Sequence, residues 1–142
     1  MEQLSKKTLA GRPESNLLSL QEKVLQFGTG ALLRGLPDYL IDKANRQGIF
    51  KGRVVVVKST DRGDTSAFTD QDNLYTLCIR GIENGQPVSE NVLCTAISRV
   101  LSAGTEWKEV LAFDADPNLE SVLSNTTEVG IQLVQEDIRE MP

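Results

Sequence analysis

Apolar and polar positions divide the chain into short blocks with two different periods. Residues 23–27 form a brief apolar run that stops at Gly28-Thr29-Gly30, which predicts a strand followed by a tight turn. From 31 to 47 the pattern is helical. Leu32, Leu36, Leu40 and Ala44 recur at every fourth position with Leu33 and Ile41 beside them, making one apolar stripe. Pro37 falls inside this pattern, so either the helix kinks there or its regular part begins near Gly35. Gly48 is a natural C-terminal stop. Residues 53–58 contain Val54-Val55-Val56-Val57, a β-branched run without alternation, which predicts a strand buried on both faces. Strand, helix and buried strand in this order make a βαβ unit.

The second half is less regular. Residues 59–73, with Asp61, Gly63, Asp64, Thr65 and Asp70, are expected to be a loop. Residues 74–82 and 87–99 look like two strands around Asn84-Gly85, a dipeptide suited to a hairpin turn, so the sheet is expected to include an antiparallel excursion. Residues 105–115 predict a short helix with Thr105 as N-cap and Trp107, Val110, Leu111 and Phe113 as apolar surface, ended by Asp116-Pro117. Residues 120–124, with Val122 and Leu123, are a further short strand, and 129–142 receive no element. Residues 1–22 are a polar lead-in, either docked through Leu17, Leu18 and Leu20 or partly ordered. There is no internal repeat.

Composition narrows the function. A chain of 142 residues with 39% hydrophobic and 25% charged residues is one ordinary domain. Its formal net charge of -5 argues against nucleic acid as a partner but leaves room for a small anion held by local N–H groups. No stretch is apolar enough to span a bilayer and the N-terminus has no signal pattern, so the expectation is a cytoplasmic protein with no membrane partner. Cys78 and Cys94 sit in apolar runs and are expected to be reduced and buried. The chain has no histidine, which removes the commonest general base and zinc ligand, and no metal site is expected.

Three segments carry candidate chemistry. Gly28-Thr29-Gly30, between a strand and a helix, offers close backbone approach and free N–H groups to a pyrophosphate; the bland alternative is a tight turn without a ligand. The third glycine of the usual fingerprint is missing, with Leu33 in its place. At the end of the second strand, where NAD-binding folds usually carry an acid, stand Lys58, Ser59 and Thr60, with Asp61 beyond. Lysine and hydroxyls there suit the 2′-phosphate of NADP, or Lys58 simply reaches solvent. Ser124-Asn125-Thr126-Thr127-Glu128 lies at a strand's C-terminal end, where it either meets ribose and nicotinamide or caps a turn.

Together these segments resemble one family. Residues 23–35, KVLQFGTGALLRG, are similar to the GxGxFxR segment of the long-chain mannitol dehydrogenase family. QDNLYTL (71–77) followed by IRG (79–81), and SNTTEVGI (124–131), resemble stretches of its tagaturonate reductases, also called altronate oxidoreductases. The resemblance implies an α/β Rossmann-type domain over residues 23–142, with a mostly parallel sheet flanked by helices and an added antiparallel hairpin. It implies NAD as cofactor, with NADP as the alternative, and reversible hydride transfer between D-tagaturonate and D-altronate.

Carried over residue by residue, Gly28 and Gly30 approach the pyrophosphate. Phe27, Thr29, Ala31 and Leu32 contribute N–H groups or packing. Lys58 and Ser59 lie toward the adenosine ribose, Asn125 and Thr126 near the nicotinamide ribose, and Glu128 toward the substrate. Arg34 matches the family arginine. Leu32 departs from the family's aromatic residue, and Pro37 interrupts its helix. The family's proton chemistry belongs to a helical C-terminal domain and uses lysine, asparagine and histidine. Lacking histidine, this chain is expected to be the cofactor part, inactive alone, with an apolar face toward the second domain through which it could self-associate. The alternatives are a fructuronate or mannitol enzyme of the same family, a nucleotide-binding module without turnover, and a methyltransferase. The last is disfavoured because Gln26-Phe27 puts no acid before the first glycine.

Overall fold

The computed structural model describes residues 4–59 and 65–126. Its centre is a parallel sheet of four strands among the described residues, in the order β5-β2-β1-β6. These are β1 (Gln21–Phe27), β2 (Gly52–Lys58), β5 (Ile97–Ser102) and β6 (Ser121–Ser124). In order of appearance, the third, second, first and fourth parallel strands stand side by side. These are four of the six strands of the doubly wound nucleotide-binding order, and its switch point falls between β1 and β6. A separate antiparallel ribbon pairs β3 (Tyr75–Glu83) with β4 (Gln86–Cys94). Its turn places Asn84 and Gly85 both at positive φ, as the Asn-Gly dipeptide predicts.

The valine run behaves as expected of a strand covered on both sides. Val54 and Val56 pack with Val24, Ala96, Ile97 and Val100 on one face. Val55 and Val57 pack with Leu25, Leu101, Val110 and Phe113 on the other. The two-residue period of the strand sends alternate valines into opposite half-cores. The second half-core is closed by α4 (Trp107–Asp114).

The helix expected over 31–47 is two helices, α1 (Ala31–Gly35) and α2 (Pro37–Arg46). The axis breaks at Leu36 (φ -120, ψ -79), and Pro37 then opens α2, a position that needs no N–H from it. The apolar stripe on these helices is split: Leu33 is buried and Ile41 packs against the core, whereas Leu32, Leu36 and Leu40 are 58%, 54% and 51% exposed. What α2 buries instead is polar: Asp38, Asp42 and Asn45. Each finds partners that an apolar residue could not use. Asn45 holds the backbone of Gly52. Asp42 accepts from the Thr95 N–H at 2.7 Å and hydroxyl at 2.8 Å, and from Arg46 at 2.7 Å. Satisfied polar groups tolerate burial, so the polar face takes the inside.

Several expectations are corrected in detail. Residues 87–99 are not one strand. β4 ends at Cys94, the chain turns through Thr95-Ala96, and β5 joins the parallel sheet. The lead-in is folded from residue 4 onward, as two short 3₁₀ helices, Lys6–Leu9 and Pro13–Ser19, with Leu9 fully buried as its anchor. Arg53, itself buried, donates to the Leu18, Thr95 and Ile97 carbonyls and ties this segment to the sheet. The expected loop of 59–73 contains a short helix, α3 (Ser66–Thr69). The N-cap of α4 is Glu106 rather than Thr105, and the Glu106 carboxylate accepts from the Ser102 N–H at 2.8 Å. Of the two cysteines only Cys94 is buried; Cys78 is exposed.

Candidate functional site

The parallel register aligns the C-terminal ends of the strands. Phe27 stands opposite Val57 of β2 on one side and Ser124 of β6 on the other. The Gly28 N–H continues the ladder by donating to the Val57 carbonyl at 2.9 Å. The chain then leaves the sheet with Gly28 at φ +115, a backbone that side chains rarely adopt, and a Cβ there would lie 3.1 Å from Leu33 Cδ1. Gly30 is different. Its φ is -65, it caps α1, and a Cβ on it would meet nothing within 4 Å. The first glycine is needed for the turn itself, whereas the second opens space above it. The N–H groups of the first turn of α1, Ala31 and Leu32 among them, have no helical acceptor and are available to an anion.

The other expected site residues surround this turn by register. Lys58 ends β2 beside Ser102 of β5, half-buried, and Ser59 follows it, exposed. Asn125 and Thr126 leave the end of β6, both exposed. Thr29 is half-buried, and Ala31 and Leu32 are exposed on the outer side of the turn. Glu128, Thr60 and Asp61 lie outside the described residues. The break at Leu36 lies beyond α1, so the proline leaves the glycine turn undisturbed.

Two residues outside the glycines support the turn: Gln26, which the motif reading passed over as a partner, and Arg34, the match to the family arginine. Gln26, fully buried, donates from Nε2 to the Gly28 carbonyl at 3.3 Å and to Asp38 Oδ2 at 3.3 Å. The signal was available: a lone polar residue between Leu25 and Phe27 in a central strand requires a buried partner. Arg34 places its guanidinium over the rings of Phe68 and Tyr75, 5.5 and 6.0 Å from their centroids, and the Tyr75 hydroxyl donates to the Arg34 carbonyl at 2.7 Å. Burial pushes the Tyr75 hydroxyl pKa up, so it stays a donor. Arg34 therefore joins α1 to α3 and the ribbon.

A cavity of about 520 Å³ lies elsewhere, between α2, β4 and the second 3₁₀ helix. Arg46 in its wall is engaged by Asp42, Glu14 and the Leu93 carbonyl. Its wall thus includes a charge cluster centred on Arg46 with Asp42 and Glu14.

A parallel sheet in this order, with a glycine turn at its switch point, defines a Rossmann-type α/β domain. The chain is a homologue of the altronate oxidoreductases and corresponds to their N-terminal part. It is 43% identical over 118 residues to the altronate oxidoreductase of Halalkalibacterium halodurans, covering 82% of this chain and 23% of that protein. It is 35% identical over 116 residues to that of Bacillus subtilis, covering 82% and 24%. With that of Yersinia enterocolitica it shares 35% over 132 residues, covering 92% and 26%. The chain thus spans about a quarter of the length of these relatives.

Among solved structures, it is similar to the Pseudomonas fluorescens mannitol 2-dehydrogenase in ternary complex with NAD and D-mannitol (TM-score 0.73, 22% identity, 87% of this chain and 26% of that one). It is also similar to a substrate-free D-sorbitol dehydrogenase (TM-score 0.74, 22% identity, 94% and 29%). At that identity the likeness is one of fold. No protein-family model matches the chain. No helix among the described residues is long and apolar enough to cross a membrane.

Proposed function

We propose that this domain binds NAD(H) at the β1–α1 turn and serves the reversible hydride transfer between D-tagaturonate and D-altronate. The observation that carries the reading is the open space above Gly30, set at the sheet's switch point between the ends of β2 and β6. Gly28, Thr29, Gly30, Ala31 and Leu32 would hold the pyrophosphate through backbone N–H groups, with Phe27 packed beneath. Lys58 and Ser59 would lie along the adenosine ribose. Asn125 and Thr126 would meet the nicotinamide ribose, with Glu128 toward the sugar acid. When bound, the nicotinamide supplies the hydride acceptor or donor. The residues of this chain bind and orient it. With no histidine here, the proton chemistry is assigned to polypeptide corresponding to the remaining three quarters of the relatives, and this chain alone is expected to be inactive. The fructuronate and mannitol alternative is less well supported, because the relatives described above carry the altronate name. A cytoplasmic location fits this chemistry.

The test is calorimetric titration of the chain with NADH, NADPH and S-adenosylmethionine in parallel, repeated with Gly30→Ile. A Cβ at Gly30 would meet nothing within 4 Å and the φ of -65 suits any residue, so the variant is expected to fold while its side chain fills the space a ligand would take. NADH binding that Gly30→Ile abolishes is the expected result. A preference for NADPH would reassign Lys58 and Ser59 as phosphate contacts. Binding of S-adenosylmethionine alone, or of none of the three, would overturn the reading.

A further inference from the structure

The turn that carries Gly28 rests on a pair of side chains closed off from solvent, Gln26 of β1 and Asp38 of α2, both 0% exposed. The Gly28 carbonyl can only accept, so the amide nitrogen of Gln26 must face it and Oε1 must face away. With Nε2 also donating to Asp38 Oδ2, two atoms of the pair remain without partners among the described residues, Gln26 Oε1 and Asp38 Oδ1. If Asp38 were ionised, both would be acceptors, and one buried pair would leave two acceptors orphaned. One proton removes the conflict. Placed on Oδ1, it makes that oxygen a donor, and Gln26 Oε1 is the acceptor the pair already holds. Amide and acid then satisfy each other in both directions.

The surroundings agree. Arg34, one turn earlier on α1, makes no ion pair with Asp38; its charge lies over the Phe68 and Tyr75 rings. Tyr75 of β3 and Cys94 at the end of β4 also face this region, both pushed by burial toward their neutral forms. Asp42, further along α2, is occupied by Thr95 and Arg46. Burial pushes the Asp38 carboxyl pKa up to about 7, against the pull of the Gln26 bond and the Arg34 charge.

We propose that Asp38 is kept as a neutral acid whose proton is given to Gln26 Oε1, and that this acid–amide pair positions the Gly28 carbonyl and with it the cofactor turn. The positioning role rests on the NAD-binding reading above; the protonation does not. Loss of the proton leaves a buried charge and two unpaired acceptors beside Gly28, so the turn loosens as pH rises.

The test has two readouts on the 142-residue chain. The first, without ligand, follows the Asp38 carboxyl by carbon-13 NMR, assigned through Asp38→Asn, and the melting temperature against pH. A group whose pKa is raised on folding contributes stability at low pH and loses it as pH climbs from the ordinary 3.8 through about 7. Asp38→Asn keeps a donor and an acceptor in the same places, so its melting temperature should lack that decline. The second readout is NADH affinity at pH 6 and pH 8.5. Wild type is expected to weaken about tenfold, Asp38→Asn to vary far less, and Asp38→Ala to bind weakly at both. An Asp38 carboxyl that titrates near 4 overturns the proposal. So does an Asp38→Asn variant that loses NADH affinity at pH 6 while wild type keeps it. A near-neutral titration with no NADH binding at any pH would overturn the positioning role and the cofactor reading together, leaving the neutral acid standing.

Discussion

Asn45 grips both backbone groups of Gly52: its Nδ2 donates to the Gly52 carbonyl at 2.7 Å, and its Oδ1 accepts the Gly52 N–H at 3.0 Å. This fastens the C-terminal half of α2 to the start of β2. Asn45→Ala would leave two buried backbone groups unpaired, at about 1–3 kcal/mol each. Urea unfolding should show a loss of ~2–6 kcal/mol with an unchanged denaturant slope. Gly52 should be as intolerant, because an added Cβ would lie 2.7 Å from both Lys23 Cδ and Phe50 Cε1.

The two glycines of the β1–α1 turn should separate stability from the proposed binding. Gly28→Ala places a side chain at φ +115 and against Leu33, and should lower the melting temperature, with a cost on the order of 1–3 kcal/mol. Gly30→Ala should leave the melting temperature within about 2 °C of wild type, since its Cβ meets nothing. Paired thermal melts decide this without any ligand.

The link between the ribbon and α1 should be measurable at one hydroxyl. Tyr75→Phe removes the 2.7 Å bond to the Arg34 carbonyl while keeping the ring under the guanidinium. The expected loss is about 1–2 kcal/mol. Hydrogen exchange should rise at the N–H groups of β3 more than at those of β2.

The exposed stripe of Leu32, Leu36 and Leu40 should govern association and leave folding alone. We expect the chain to self-associate in a concentration-dependent way through this face, and the triple change to Gln to abolish the effect in sedimentation velocity. The melting temperature of the dilute variant should match wild type, because none of the three leucines is buried.

The cysteines should differ in reactivity. Cys78 is exposed, whereas Cys94 is buried and its thiol is pushed by burial up to about 11. Iodoacetamide at pH 8 should modify Cys78 in the native protein and Cys94 only after unfolding, as read by peptide mass spectrometry.

How much of this was legible beforehand depended on whether the signal was local. Val54–Val57 and Asn84-Gly85 declared themselves because β-branching and left-handed turn geometry act on the residues that carry them. The boundary between β4 and β5 did not. It falls at Thr95-Ala96, with no glycine or proline, and is held by a carboxylate from Asp42, far away in sequence. The leucine stripe left its orientation open for a related reason. Spacing shows which residues share a helix face, but which face turns inward was decided by the partners waiting for Asp38, Asp42 and Asn45. At the candidate site the glycines were visible as a motif. The pair beneath them was not, because Gln26 and Asp38 gain meaning only when β1 and α2 meet.

The sheet order also dictates when the site can exist. β1 comes first in the chain yet lies inside the sheet, with β2 on one side and β6 on the other. Val24 finds its second neighbour only in Ser121, and the contact is fastened by Lys23, whose carbonyl accepts the Glu120 N–H at 2.8 Å and whose ammonium meets the Glu120 carboxylate at 2.7 Å. During synthesis, β1, β2 and β5 can assemble while one edge of β1 still stands bare, with the Val24-Leu25-Gln26-Phe27 backbone open to any passing strand. Closing that edge requires a long loop and should come late in folding. A nascent chain arrested before residue 121 would therefore be sticky along the very strand that leads into the glycine turn.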